Sequence, residues 1–195
     1  PESPKPFPTP LRQGIVFENV GFRYPGSDVW AVRNLSFIAP AGETLALVGE
    51  NGAGKTTIVK LMTRLYDPDE GRILVDGVDL KEFATADLRQ HIGVIFQDFL
   101  RYSFSAADNI AVGQIEAAGD RERITRSAEQ SLADPVIRKL PEGYDQMLGR
   151  VFAKGHDLSG GEWQKIAIAR AYMRNAEIII LDEPTAALDA RAEAE

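Results

Sequence analysis

The sequence predicts an α/β protein with a buried parallel sheet, a β-rich section ahead of it and a helical insertion within it. Three observations predict this. Leu45-Ala46-Leu47-Val48 and Ile178-Ile179-Ile180-Leu181 are short, continuous apolar runs, the composition of strands buried on both faces. Strand-like and helix-like segments alternate from Gly14 to Phe96. From about Ser105 to Asn175 the pattern is mostly helical, with breaks near Pro135 and Pro141-Glu142-Gly143.

Taken in order, residues 1–13 read as a stiff, extended linker, since five of the 11 prolines fall in the first ten residues. They lack the apolar core of a signal peptide. The chain opens at Pro1 and stops at Ala194-Glu195 with no helix-closing signal, so both ends read as cut. Val16, Val20 and Phe22 recur at even spacing, Pro25-Gly26 marks a turn, and Leu35 to Ile38 resumes an extended run. After the Leu45–Val48 strand and a glycine-rich turn, Ile58, Leu61, Met62 and Leu65 fall on one helical face, predicting a helix that Pro68 stops. Ile73 to Val75 leads into Asp76-Gly77, a turn pair, and Ile92 to Phe96 reads as a buried strand.

Composition narrows the function. The 195 residues are 44% hydrophobic, enough to bury a core, and no run approaches the ~20 apolar residues of a membrane span. With no cysteine, disulfides, thiolate metal sites and cysteine nucleophiles are excluded. His91 and His156 are too far apart for metal-ligand spacing. A net charge of −7 argues against nucleic acid as a partner.

Two stretches carry chemistry. Gly49-Glu50-Asn51-Gly52-Ala53-Gly54-Lys55-Thr56 fits G-x-x-x-x-G-K-[ST], between a strand and a helix. Its glycines let the backbone curl until successive N–H groups face phosphate oxygens. Lys55 adds a point charge for β- and γ-phosphates, and the helix N-terminus adds partial positive charge. Thr56 is placed to ligate Mg²⁺; Thr57, next along, can reach only a phosphate. The second stretch is the apolar run ending in Asp182-Glu183, which delivers two carboxylates to a sheet edge. There Asp182 would hold Mg²⁺ and Glu183 would orient, or take a proton from, an attacking water.

Leu158-Ser159-Gly160-Gly161-Glu162 has two readings. Ser159 with Glu162 makes a capping box, which starts a helix without any ligand. Yet the phosphate loop, LSGGE and ILDEPTAALD in this order resemble the nucleotide-binding domain of ABC transporters, across nearly the whole chain after the proline-rich start. The resemblance implies a P-loop NTPase core with an N-terminal antiparallel β subdomain and an α-helical insertion at about 98–175, all within a domain spanning 14–195. It implies ATP and Mg²⁺ as ligands. It makes Tyr24 in Phe22-Arg23-Tyr24-Pro25 the aromatic that stacks on adenine, and Gln97 the glutamine that reaches both the metal and the attacking water. Ser159, Gly160 and Gly161 would then face ATP held by a second such domain.

The linker, Phe22-Arg23-Tyr24-Pro25-Gly26 and Gly71 to Leu80 resemble exporter-type domains, in which membrane helices precede the ATPase in one chain, at the cytoplasmic face of the membrane. Phe99, Leu100, Tyr102 and Phe104 would face that membrane domain, or else fill the helical core. A non-transport ABC protein, using nucleotide-dependent dimerisation as a switch, is the alternative. Two departures stand out. The family's switch histidine lies well past Ala187-Leu188-Asp189, and only 12 residues follow Glu183. Gly149 to Gly155 lacks the glutamate that many exporters carry there. The first departure implies a chain cut after this segment, with slow hydrolysis.

Overall fold

The computed structural model describes residues 3–50, 52–96, 99–151 and 155–182. They form two compact units, residues 1–92 and 93–195.

The first unit is built on a sheet of strands β1 (Gly14–Arg23), β2 (Trp30–Pro40), β3 (Glu70–Val75) and β4 (Val78–Asp79), in the order β2-β1-β3-β4. All its pairs are antiparallel. Val20 and Phe22 of β1 are buried, with Ile73 and Val75 of β3. Phe17 is buried too, and it stacks on its cross-strand partner Phe37 at 4.3 Å. The Asp76-Gly77 pair turns β3 into β4 with both residues at positive φ, as a two-residue hairpin requires. Asp76 also gathers the incoming chain, since its carboxylate accepts the N–H groups of Arg12, Gln13 and Gly14 at 2.9 Å each.

Helix α1 (Lys55–Met62) buries Ile58, Val59 and Leu61. It is shorter than the periodicity predicts: it ends at Met62, and Leu65 is exposed. The reason is a C-terminal motif that satisfies the last carbonyls. Arg64 takes the left-handed conformation (φ 48), while its N–H bonds Leu61 O and that of Leu65 bonds Lys60 O. The conformation is uncommon for arginine, and the Arg64 guanidinium holds it by donating to Leu80 O and Phe83 O at 3.2 and 2.9 Å.

The strand expected at Leu45–Val48 does not form. Residues 43–50 have no regular structure, and Val48 is 95% exposed. A strand buried on both faces needs ladder partners for its N–H and C=O groups, and none of the described strands pairs with this run. The proline-rich start, by contrast, lies against the first unit. Lys5 N–H bonds Glu82 O, Phe7 N–H bonds Asp87 Oδ2, and the Phe7 ring stacks on His91 at 4.7 Å. Helix α2 (Thr85–Gln90) carries Asp87, and its Leu88 is fully buried.

Strand β5 (Ile92–Ile95), all but its first residue in the second unit, pairs with β6 (Ile178–Leu181). Helices α3 (Ala106–Ala111), α4 (Arg121–Gln130), α5 (Asp134–Ile137) and α6 (Gly160–Met173) enclose an apolar core. Trp163, Ile110, Ile124, Ile137, Ile166 and Met173 fill it. Asp134, buried at the start of α5, is satisfied by the Tyr144 hydroxyl and by Arg138, each at 2.7 Å. No described helix is long and apolar enough to cross a membrane.

Candidate functional site: a phosphate loop, a strand-end acid and a capped helix

The loop before α1 owes its shape to glycines. Gly52 and Gly54 sit at φ 86 and 93, where side chains are strained. At Gly54 a methyl group would also meet Val32 Cγ1 at 2.6 Å and Ala31 O at 2.8 Å, so β2 passes too close for any other residue. Ala53 N–H closes a turn on Glu50 O at 3.0 Å. The helix then begins at Gly54, which brings no side-chain acceptor, and its first turn contains no acid. The partial positive charge of a helix start without a capping side chain or an acid favours an anion beside it. Lys55 Nζ reaches back to the same loop and donates to Gly49 O and Glu50 O, at 2.7 and 3.0 Å. Thr56 is exposed, Thr57 is buried, and Asn51 lies outside the described residues.

Tyr24 belongs to this end of the first unit. Its hydroxyl lies 3.0 Å from Thr57 Oγ1, and Lys60 Nζ donates to it at 3.3 Å. Lys60 Nζ also stands 5.0 Å from the ring centroid. The ring meets Phe22 and Tyr66 edge-on, at 5.1 and 5.5 Å. Sequence patterns do not mark Lys60 or Tyr66 as neighbours of Tyr24, because the strand and helix meet only in the folded unit.

In the second unit, Asp182 follows β6 and its N–H bonds Ile95 O at 3.0 Å, so the ends of β5 and β6 lie side by side. Gln97 and Glu183, which follow these two ends, lie outside the described residues. Ser159 is the N-cap of α6 in a complete capping box: its N–H bonds Glu162 Oε2 at 2.8 Å, and its Oγ accepts Glu162 N–H at 3.3 Å. The Ser159 N–H holds the Glu162 carboxyl below the usual carboxylate range, and partial burial offsets only part of this. Ser159 and Gly160 are exposed, with open space where a Gly160 side chain would stand.

A cleft of about 300 Å³ opens in the second unit between the β5 end and α6, lined by Phe96, Phe99, Leu100, Tyr102, Ala167 and Arg170 among others. Phe99 packs against the helical core, Leu100 and Phe104 are exposed, and Tyr102 stacks on Phe104 at 5.4 Å. Arg170, one of the residues that sequence patterns do not reveal, pins this segment. It donates to Leu100 O, Asn109 O and Asn109 Oδ1 at 2.7 to 2.8 Å and lies 4.9 Å over the Tyr102 ring. Burial lowers its pKa.

Residues 32–186 match the ABC transporter family model, which spans the phosphate loop, the capped helix and the strand-end acids. The chain belongs to the ABC transporter family. It is 46% identical over 179 residues to the ATP-dependent lipid A-core flippase of Escherichia coli (strain K12), and equally to the flippases of the same description from Shigella flexneri and Shigella boydii serotype 4 (strain Sb227). These alignments cover 92% of this chain and 30% of each flippase. A solved structure of a bacterial Atm1-family ABC exporter with ATP bound is similar with a TM-score of 0.78 and 38% identity, over 98% of this chain and 33% of that one. The chain thus spans about a third of the length of these relatives. It is similar to the nucleotide-binding domains of these exporters, and the likeness shows the expected fold class, an α/β P-loop NTPase core with an antiparallel N-terminal sheet.

Proposed function

We propose that this domain binds Mg·ATP and hydrolyses it to drive an exporter. The observation that carries the reading is the loop at 49–56, whose glycines hold positive φ at 52 and 54, whose helix starts without a side-chain cap and whose Lys55 ammonium reaches back to Gly49 O and Glu50 O. Phosphate oxygens are better acceptors for Lys55 than the two carbonyls it now holds, because they bring full negative charge. Gly49, Asn51, Gly52, Ala53 and Gly54 would supply backbone to the phosphates, Thr57 a hydroxyl, and Tyr24 a ring for adenine. Thr56, Gln97 and Asp182 would each offer a side-chain oxygen, the hard donor that suits Mg²⁺. Bound Mg²⁺ neutralises charge on the β- and γ-phosphates. Glu183 would orient the attacking water and take its proton.

In this reading Ser159, Gly160 and Gly161 serve the ATP of a second nucleotide-binding domain, either another copy or a paralogue. A membrane domain preceding this one in the same chain would place it at the cytoplasmic face of the membrane; relatives three times as long support that arrangement. The test is Lys55→Ala, titrated with a fluorescent ATP analogue. Loss of one charge-assisted contact, with the loop amides kept, weakens binding by about tenfold to a hundredfold. Equal affinities would remove the loop as the site.

A further inference from the structure

We infer that the Tyr24 hydroxyl is a positioning group for the phosphate end of the nucleotide site, acting through Thr57. The inference rests on the proposed ATP site and assigns Tyr24 a second task, separate from stacking by its ring. Three polar groups stand in a row, since Lys60 Nζ lies 3.3 Å from Tyr24 Oη, which lies 3.0 Å from Thr57 Oγ1. The chemistry fixes the direction of the first link. An ammonium can only donate, so Tyr24 Oη accepts from Lys60. Either hydroxyl can donate in the second bond, and in the arrangement inferred here the phenol proton goes to Thr57 Oγ1. That leaves the Thr57 proton to be donated in turn.

A phosphate oxygen at neutral pH only accepts. The row therefore sets Thr57 in the sense that a phosphate needs, and each bond polarises the next. Thr57 is 5% exposed, so little water competes for its hydroxyl. Tyr24 is itself held: edge contacts with Phe22 and Tyr66 fix the ring, and Lys60 lies over its face. The aromatic at the base end and the hydroxyl at the phosphate end are thus one hydrogen-bonded unit, joining residues 33 positions apart.

The experiment is a double-mutant cycle read by Mg·ATP affinity: the unaltered chain, Tyr24→Phe, Thr57→Val and the double variant. Phenylalanine keeps the stacking ring, so a stacking role alone leaves affinity unchanged. The expected result is about two- to tenfold weaker binding for Tyr24→Phe, the range of one hydrogen bond. In the Thr57→Val background, Tyr24→Phe should cost nothing further. In the Thr57→Ser background, which restores the hydroxyl, it should cost the original factor again. Melting temperatures without ligand show which variants are folded, and if Thr57→Val is not, the serine background carries the comparison. Unchanged affinity in Tyr24→Phe, or equal effects of Tyr24→Phe with valine and with serine at position 57, would overturn the inference. Absence of ATP binding by the unaltered chain would overturn the proposed site itself, and this inference with it.

Discussion

Asp76 is the clearest case of one residue organising a segment. Its carboxylate collects three consecutive backbone N–H groups, from Arg12 to Gly14, while its own N–H bonds Gly14 O at 2.9 Å. Burial pushes its pKa up, but the three donors outweigh that and the net shift is downward. A carboxyl with a lowered folded pKa contributes stability that is complete above its unfolded value, about 3.9, and is lost as pH falls through the folded value. Asp76→Ala should therefore destabilise the protein by about 1–2 kcal/mol at neutral pH, since water can replace some of the lost acceptor. The difference between the two proteins should shrink below about pH 4. Urea midpoints across pH measure both effects, and a cost independent of pH would contradict the assigned cause.

At the scale of elements, the starts of two helices differ. Helix α1 starts uncapped beside the phosphate loop, whereas α6 starts with both bonds of a capping box in place. The two readings of Ser159 thus meet in one side chain: it holds the helix, and in the proposed dimer it also serves a partner's ATP. Ser159→Ala should cost about 0.5–2 kcal/mol of stability with no nucleotide present, measured by urea unfolding. A stability unchanged by the substitution would mean that the cap contributes nothing. Glu162 adds a pH signature, because its lowered pKa gives stability that is complete above about 4.3 and fades as pH falls further. Glu162→Gln should flatten that acid limb.

For the whole molecule, the proposed mechanism places each ATP between two chains, so one chain alone holds an incomplete site. Turnover per chain should then rise with protein concentration, and the 195-residue chain should hydrolyse Mg·ATP slowly. Glu183→Gln should trap an ATP-bound dimer, since binding survives while the group that handles water is lost. Turnover assays over a wide concentration range, with size-exclusion runs of the Glu183→Gln protein in ATP, check both. Turnover per chain that is flat with concentration would sink the shared site.

What the sequence by itself determined is local. The phosphate loop occupies eight consecutive residues, the α6 cap four, and the β3–β4 turn two, so their chemistry and conformational needs are written where they act. The family, too, was legible from three motifs in order. Other features depend on surfaces that meet only after folding. Periodicity carried α1 on to Pro68, but a distant pair of carbonyls, Leu80 and Phe83, holds Arg64 where the helix ends. An apolar run predicted a strand at Leu45–Val48, but strand formation depends on neighbours that supply a ladder. The proline-rich start gave no sign that Phe7 would be buried against Phe83 and His91. The resemblance singled out Tyr24 as the proposed aromatic for the base, but its bond to Thr57 was not legible, nor was the hold of Arg170 on Asn109, 61 residues away. Backbone motifs are set within a turn or two, whereas contacts of this kind are set by which faces the tertiary fold brings together.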